Sequence, residues 1–212
     1  MPESKNLDAT ELTDVVHRTL AFYDDQAQAF WNGTRDHDVS QNRAALLRHL
    51  APHGAARILD LGCGPGRDLI AFKSLGHDPI GLDGSAKFCA MARDNSGCEV
   101  LHQDMLNLSL TEEDFDGVFA NASLFHVPTQ VLPSVLKALW RTLHPRGVLF
   151  ASNPRGNGEE GWQSGRYGAF HDHDVWRGLV EAAGFEELEH YYRPAGRPRQ
   201  QQPWLASVFR KV

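Results

Sequence analysis

The sequence predicts an α/β domain in which helices cover both faces of a parallel sheet. Short apolar runs alternate along the chain with longer segments of mixed polarity, as strands and helices do in such domains. The first apolar run, residues 57–61, ends in a glycine-spaced turn at residues 62–66, after which a helix is expected to begin. The chain has 212 residues, 42% of them hydrophobic, which is enough for one domain of this kind and too little for two.

Two helices are expected before the first strand, at about residues 10–30 and 40–50. The next part is expected to contain, in order, strand 57–61, helix 66–74, strand 78–82, helix 85–93, strands 98–102 and 115–120, helix 128–142 and strand 147–152. A long glycine-rich loop follows at residues 153–167. Helix 173–183, which Asp172 or Asp174 can cap, precedes two closing strands at 186–192 and 204–211.

The glycine-spaced turn has the pattern of a nucleotide site at a strand-to-helix junction. Gly62 and Gly64 lack a Cβ, so the backbone can approach a ligand closely. The usual dinucleotide fingerprint is G-x-G-x-x-G, whereas this chain has G-x-G-x-G, with Arg67 at the position of the third glycine. Asp83 follows Gly62 by 21 residues and closes the second strand, where a carboxylate can accept both hydroxyls of a ribose.

Aspartates stand at three successive strand ends, at positions 60, 83 and 104. A single strand-end aspartate often does no more than cap the next helix. The carboxyl ends of parallel strands meet at one edge of the sheet, which is where ligands bind in open α/β sheets. The ordered set of aspartates, together with the glycine turn, therefore predicts a ligand site at that edge.

The glycine turn, with Asp60 two residues before Gly62, resembles motif I of the Rossmann-like methyltransferases that use S-adenosylmethionine (SAM). The resemblance extends over residues 57–152, and the segment 121–128 is similar to that of small-molecule methyltransferases of the tellurite-resistance and ubiquinone-biosynthesis type. It implies a seven-stranded sheet in the order 3-2-1-4-5-7-6, with the last strand antiparallel. It also implies a single domain over residues 1–212, divided into a helical lid at 1–54, a SAM-binding core at 55–152 and a substrate loop with closing hairpin at 153–212.

The resemblance implies SAM as cofactor and S-adenosylhomocysteine as product. The cofactor contacts that it implies are Tyr23, Trp31, Asp60, Gly62, Gly64, Gly66, Arg67, Asp83, Gly84, Asp104, Met105, Asn121 and Ser123. Tyr23 and Trp31 belong to the first helix, whose aromatic rings would fold over the cofactor and face its sulfonium group. The alternative is an amphipathic helix whose aromatic residues pack on the sheet as core.

His126 is the candidate catalytic base, because it follows the fourth strand and should lie beside the glycine turn. A base is required only when the acceptor nucleophile must lose a proton that it would keep at neutral pH. The alternative is that His126 packs beneath the cofactor or makes a structural hydrogen bond.

Two segments outside the core are expected to choose the acceptor. The loop after the fifth strand carries Arg155, Trp162, Arg166 and Tyr167, a mixture that suits an acceptor with a ring and an anionic group. The segment 191–199 adds Tyr192 and Arg193 and concentrates positive charge in an acidic chain. That segment is equally well explained as a solvated connection between strands.

Composition limits the partners. A net charge of −6 argues against a nucleic-acid partner. No apolar run approaches the roughly 20 residues of a membrane span, and there is no signal-peptide pattern, so no membrane contact and a cytoplasmic location are expected. The three cysteines have no metal-type spacing. The histidine–aspartate clusters at 36–38 and 171–174 could meet in space as a metal site, but adjacent ligands on one loop point in different directions and Asp172 or Asp174 can cap a helix, so no metal is predicted. A monomer and a homodimer both remain open.

The function predicted from these features is SAM-dependent methyl transfer to an oxygen, nitrogen or sulfur atom of a small-molecule acceptor, anionic or aromatic in character. An NAD-dependent dehydrogenase-like domain is the first alternative, since it shares the glycine turn and Asp83 but should carry a third glycine. A non-catalytic SAM-binding protein is the second.

Overall fold

A computed structural model describes residues 6–51 and 54–212 of the chain. The strands are β1 (Arg57–Leu61), β2 (Asp78–Asp83), β3 (Val100–His102), β4 (Phe115–Asn121), β5 (Leu143–Pro154), β6 (Glu159–Gln163), β7 (Arg166–Phe170), β8 (Phe185–Arg193) and β9 (Trp204–Lys211). The helices are α1 (Ala9–Asp25), α2 (Ala27–Thr34), α3 (Ser40–Leu47), α4 (Arg67–Ser74), α5 (Ala86–Ser96), α6 (Leu132–Thr142) and α7 (His173–Ala182).

Seven of these strands form one sheet in the order β3-β2-β1-β4-β5-β9-β8. The first five are parallel to one another, and β9 runs antiparallel to both of its neighbours. Along the chain, β8 and β9 are the sixth and seventh strands of this sheet. The predicted order 3-2-1-4-5-7-6, with an antiparallel last strand, is therefore confirmed.

Helices cover both faces of the sheet because its strands are apolar on both sides. Ile58 and Leu59 are neighbours in β1, point to opposite faces and belong to separate buried clusters. Leu46 of α3 joins the cluster around Ile58, and Leu136 of α6 joins the one around Leu59. In register, Leu61 lies beside Leu82 of β2, so the carboxyl ends of the central strands share one edge.

The region predicted as a loop after the fifth strand is instead an antiparallel ribbon, and this prediction was wrong. Strand β5 continues to Pro154, and β6 then pairs with β7. The connection is the two-residue turn Ser164-Gly165, whose φ values are 48° and 84°. Two successive positive φ values match the twist of a hairpin, so this serine-glycine pair was a turn signal that the glycine-rich composition concealed.

The predicted helix over residues 10–30 is divided in two. Helix α1 ends at Asp25 and α2 begins at Ala27, with Gln26 between them at φ −99° and ψ 8°. Residues 1–5 and 52–53 of the predicted lid region lie outside the described residues. Among the described residues, no helix combines the length and the apolarity that crossing a bilayer requires.

Candidate active site

A cavity of about 700 Å³ opens at the carboxyl ends of β1, β2 and β4, beneath α1 and α2. Most of the residues expected to bind cofactor or acceptor line it: Tyr23, Trp31, Asp60, Gly62, Gly64, Arg67, Asp83, Gly84, Asp104, Met105, Asn121, Ser123, His126, Arg166 and Arg193. The expected residues that do not line it are Gly66, Arg155, Trp162, Tyr167 and Tyr192.

The glycine turn after β1 is hydrogen-bonded to the end of β2. The backbone N–H of Gly62 donates to the carbonyl oxygen of Leu82 at 2.7 Å. Gly62 has φ +72°, and a Cβ at this position would overlap the Cβ of Ser123. Both the backbone conformation and the space therefore require glycine here.

Asp83 is buried at the end of β2 and holds two backbone groups. Its Oδ2 accepts from the N–H of Gly64 at 2.9 Å, and its Oδ1 accepts from the N–H of Ser85 at 2.9 Å. Burial raises the pKa of Asp83 to about 6, against the lowering effect of these hydrogen bonds. Each carboxylate oxygen has a further acceptor position, as recognition of the two hydroxyls of a ribose requires.

Asp60 lies beneath the glycine turn with one oxygen unsatisfied. The carboxylate is buried, and its Oδ2 has no hydrogen-bond partner within the described residues. Burial, and then the nearby negative charge of Asp68, raise the pKa of Asp60 well above its usual value. A cation entering the cavity would restore the missing interaction, and the α-amino group of SAM is such a cation.

Asp68, which the sequence analysis did not single out, lies in the first turn of α4 and binds two arginines. Its two carboxylate oxygens accept from Arg43 Nη1 and Arg67 Nη2, each at 2.6 Å. Arg67 also donates from Nη1 to the carbonyl oxygen of Thr34 at 3.2 Å. Arg67 therefore connects the glycine turn to the carboxyl end of α2.

Asp104 caps the short turn that follows β3. Its Oδ1 accepts from the N–H groups of Leu106 and Asn107, at 2.8 and 3.0 Å. The Asn107 side chain also donates to Oδ2 at 2.9 Å. The structure thus shows the capping role for this aspartate, at a position that also lines the cavity.

Asn121 and Ser123 form the wall at the end of β4. Asn42 of α3 donates from Nδ2 to Asn121 Oδ1 at 2.8 Å and accepts at its own Oδ1 from the Tyr191 hydroxyl at 2.9 Å. Ala122, between the two wall residues, has φ +62°, a strained value for a residue with a side chain. Asn42 is 79 residues from its partner, and no sequence pattern indicated the contact.

Helix α1 covers the cavity and is anchored to the segment that follows the carboxyl end of β2. Leu20 lies against Gly84, where an added Cβ would come within 2.8 Å of it. Asp24 accepts from the Ser85 hydroxyl and from the N–H of Lys87 at 3.1 Å, which caps the start of α5. Helix α1 is therefore held by the packing of Leu20 and by the carboxylate of Asp24 at the amino terminus of α5.

Aromatic rings line the inner face of this roof. The Tyr23 ring centroid lies 5.7 Å from that of Phe30 and 5.6 Å from that of Phe88. Phe30 also comes within 3.7 Å of the position that a Cβ on Gly64 would occupy, so its ring faces the glycine turn. Phe88 was not among the expected site residues.

His126 is held by hydrogen bonds at both ring nitrogens. Its Nδ1 lies 2.6 Å from the carbonyl oxygen of Tyr167, and its Nε2 lies 2.7 Å from the Tyr23 hydroxyl. Since a carbonyl only accepts, Nδ1 carries the proton and Nε2 accepts from Tyr23. Burial lowers the pKa of His126 to about 4, so the ring is neutral at pH 7.

Arg166 is the expected acceptor residue that reaches deepest into this cluster. Its Nη1 donates to the Tyr23 hydroxyl at 3.2 Å, and its guanidinium carbon lies 5.1 Å from the ring centroid of Phe22. Arg193 lines the cavity from β8 and donates to the carbonyl oxygen of Asp38 at 3.0 Å. Neither arginine forms a salt bridge within the described part of the chain.

The other expected acceptor residues make contacts outside the cavity. The Trp162 ring stacks under the guanidinium of Arg18, and the Tyr167 hydroxyl donates to Glu160 at 2.9 Å. Arg155 donates to the carbonyl oxygen of Arg199 at 3.0 Å, and the guanidinium of Arg199 covers the Tyr192 ring. Tyr167 still contributes to the site, through the backbone carbonyl that orients His126.

The chain is similar in sequence to known methyltransferases. Residues 58–147 match a family model described as a methyltransferase domain. Malonyl-(acyl-carrier protein) O-methyltransferase of Erwinia pyrifoliae is 33% identical over 123 residues, 56% of this chain and 46% of that protein. Ubiquinone biosynthesis O-methyltransferase of Pseudomonas aeruginosa is 28% identical over 151 residues, 66% of this chain and 64% of that protein. The chain thus spans about half to two thirds of the length of these relatives.

One solved structure resembles nearly the whole chain. It is Burkholderia thailandensis 1,6-didemethyltoxoflavin-N1-methyltransferase with bound 1,6-didemethyltoxoflavin and S-adenosylhomocysteine, with a TM-score of 0.78 and 22% identity over 100% of this chain and 94% of that one. At this identity the likeness concerns the fold. The domain match over residues 58–147 and the sheet order make the chain similar to the class I, Rossmann-like SAM-dependent methyltransferases.

Proposed function

We propose that this chain transfers a methyl group from SAM to an oxygen, nitrogen or sulfur nucleophile of a small-molecule acceptor. The observation that carries the proposal is that one cavity joins two unlike halves. One half is the pair of buried carboxylates, Asp60 and Asp83, and the other is the hydrogen-bonded cluster of Tyr23, His126 and Arg166. The first half suits a cationic nucleoside, and the second suits an acceptor whose nucleophile must be oriented.

The acidic half would hold the cofactor. SAM, when bound, supplies an electrophilic methyl group on a positively charged sulfur. Asp60 would accept the α-amino group at its unpartnered oxygen, and Asp83 would accept the ribose hydroxyls. Asp104 and Met105 would border the adenine, while Asn121 and Ser123 would border the methyl group.

The other half would hold the acceptor and exclude water. Methyl transfer can be accelerated largely by fixing the nucleophile at near-attack distance in a water-poor pocket. The roof of α1, anchored at Asp24 and Leu20, supports that role as a lid. His126 would receive a proton from the nucleophile through the hydroxyl of Tyr23, which covers its basic nitrogen; since burial lowers the pKa of His126 to about 4, the proton would move as the methyl group is transferred and not before it.

An anionic acceptor fits the charges of this half. Arg166 and Arg193 both line the cavity without a salt-bridge partner in the part of the chain that the structure describes. A guanidinium left without a carboxylate beside a ligand cavity is well suited to bind a carboxylate or phosphate group. Phe125 and Trp204, which also line the cavity, supply apolar surface that a ring would contact.

The dehydrogenase alternative does not fit the sheet. Dinucleotide-binding folds have a mostly parallel sheet in the strand order 3-2-1-4-5-6, whereas here the antiparallel strand β9 lies between β5 and β8, the fifth and sixth strands of this sheet along the chain. Oδ2 of Asp60, which has no hydrogen-bond partner among the described residues, also favours a cationic ligand over the anionic pyrophosphate of NAD.

The experiment has two parts. Calorimetric titration with SAM, S-adenosylhomocysteine and NAD in parallel should show binding of the two adenosyl ligands only. A transfer assay with methyl-labelled SAM against a panel of carboxylated and phosphorylated aromatic acceptors should then give labelled product. Binding of NAD alone would overturn the cofactor assignment, and cofactor binding without turnover on any acceptor class would favour the non-catalytic alternative.

A further inference from the structure

We propose that His173, Glu187 and His190 form a binding site for zinc or a similar late first-row divalent metal ion. His173 Nε2 lies 2.8 Å from Glu187 Oε1, and His190 Nδ1 lies 3.1 Å from the same oxygen. One donor atom from each residue lies within 4.8 Å of the others. None of the three lines the cofactor cavity, so the site is separate from the proposed methyl transfer.

A β-bulge brings two of the ligands together. Residues three apart in a regular strand point to opposite faces of the sheet, so Glu187 and His190 should not meet. The pairing of β8 with β9 shifts between Glu187 and Glu189, which leaves Leu188 as an extra residue. The bulge returns Glu187 and His190 to one face, and bulges commonly re-aim side chains in this way at functional sites.

The third ligand comes from a helix that is fixed to the same face. His173 is the first residue of α7, and Asp172 caps that helix by accepting from the N–H of Val175 at 2.9 Å. Trp176, one turn later, donates from its indole nitrogen to the Ser207 hydroxyl on β9 at 2.9 Å. All three ligands are therefore carried by elements whose relative position is set by packing, as a metal site requires.

The donor set and spacing match a transition metal. Zinc binds imidazole nitrogen and carboxylate oxygen at about 2.0–2.2 Å, which in a tetrahedral site separates the donors by about 3.3 Å. The distances of 2.8 and 3.1 Å need to open by only a few tenths of an ångström. Two imidazoles and one carboxylate favour zinc, nickel or copper over magnesium and calcium, which prefer all-oxygen shells.

Burial and ring orientation agree with this assignment. The side chains of His173 and Glu187 are each 14% exposed, while that of His190 is 37% exposed and leaves a path for an ion. The two imidazole rings are stacked, with centroids 3.8 Å apart and planes 29° apart, so both present a nitrogen toward the same carboxylate. Three protein ligands leave a fourth position for water.

The test is a titration of the full chain with zinc chloride after dialysis against a chelator. We expect one zinc ion per chain by calorimetry, and at least a tenfold loss of affinity in both His190→Ala and Glu187→Gln. His17→Ala, which removes an exposed histidine of α1, is the matched control and should bind as the wild type does. Zinc should raise the melting temperature of the wild type and of His17→Ala, but not that of His190→Ala.

Two outcomes would overturn the proposal. The wild type could fail to bind zinc, or His190→Ala could bind it with unchanged stoichiometry and affinity. Either result would mean that the three side chains form a hydrogen-bonded cluster only. The binding of S-adenosylhomocysteine, measured on the same samples, should be equal in all variants and so reports whether each one is folded.

Discussion

The hydroxyl oxygen of Tyr23 lies 2.7 Å from Nε2 of His126 and joins helix α1 to the turn that follows β4. Because His126 donates from Nδ1 to a backbone carbonyl, its only basic nitrogen is the one that Tyr23 covers. Burial keeps this imidazole neutral at pH 7, with its pKa lowered to about 4. The candidate base can therefore meet an acceptor only through the hydroxyl of Tyr23.

Replacement of Tyr23 by phenylalanine should remove this connection while keeping the aromatic roof. For an acceptor whose nucleophile must lose a proton, we expect kcat to fall by about 10²- to 10⁴-fold. The affinity for S-adenosylhomocysteine, measured by calorimetry, should change little. His126→Gln should lose a similar factor, and because the two residues act as a unit, the double variant should be no worse than either single one. Additive losses in the double variant, or an unchanged kcat in Tyr23→Phe, would contradict the relay.

Recognition of the ribose by Asp83 should depend on pH. Burial raises the pKa of Asp83 to about 6, so the carboxylate that we propose as the acceptor of the ribose hydroxyls is present above that pH and is lost as the pH falls through it. Methylthioadenosine carries the adenosine part of the cofactor without its amino-acid group, so it isolates Asp83 from Asp60. We expect its affinity to be constant above about pH 7 and to fall by up to about tenfold per unit below pH 6.

The matched variant for this titration is Asp83→Asn, which keeps the size of the side chain and removes its charge. It should bind methylthioadenosine more weakly than the wild type, with an affinity that does not vary between pH 5 and 7. If the affinity of the wild type for methylthioadenosine also does not vary with pH, groups other than Asp83 must bind the ribose.

Gly62 should tolerate no side chain. Alanine at this position would have to adopt φ +72° and would overlap the buried Cβ of Ser123. We expect Gly62→Ala to lower the free energy of unfolding by about 2 kcal/mol or more and to abolish cofactor binding. Gly33, inside helix α2, is the control, because among the described residues no heavy atom apart from the backbone of its own helix lies within 4 Å of its Cβ position. Gly33→Ala should leave stability unchanged or raise it by about 0.5–1 kcal/mol. Urea unfolding of both variants checks the pair, and equal stability changes would refute the steric argument.

The parts of the fold that depend on local pattern were predictable from the sequence. The parallel sheet followed from the alternation of apolar runs with helices, whereas its strand order followed from the family resemblance carried by the glycine turn. The ribbon of β6 and β7 was missed because its turn, Ser164-Gly165, resembles a loop in composition and differs only in backbone angles. The division of the first helix at Gln26 likewise has no local sequence signal.

The candidate site residues that stand at strand ends were predictable from the sequence. The contacts between residues far apart in the sequence were not. Asp60 and Asp83 are found from their strand ends alone. Asn42 orients Asn121 over 79 residues of sequence, and Tyr167 orients His126 through a backbone carbonyl that any residue could supply. Contacts of this kind depend on tertiary packing, so side-chain identity does not reveal them.

Arg166 should distinguish anionic from neutral acceptors. Its guanidinium lines the cavity, has no carboxylate partner within the described residues and donates to the Tyr23 hydroxyl at 3.2 Å. A hydrogen bond to a charged group contributes about 1.5–3 kcal/mol, so Arg166→Met should raise KM for an anionic acceptor by about 10- to 100-fold.

The same substitution also disturbs Tyr23, so the informative quantity is a ratio within one variant. We would compare kcat/KM for an anionic acceptor and for its neutral ester or amide analogue, because a loss that acts through Tyr23 affects both equally and cancels. In Arg166→Met the preference for the anionic acceptor should fall by the factor seen in KM. Arg141→Met, at the exposed end of α6, should keep the wild-type preference. An unchanged preference in Arg166→Met would mean that Arg166 serves only to orient Tyr23, and that the acceptor needs no negative charge.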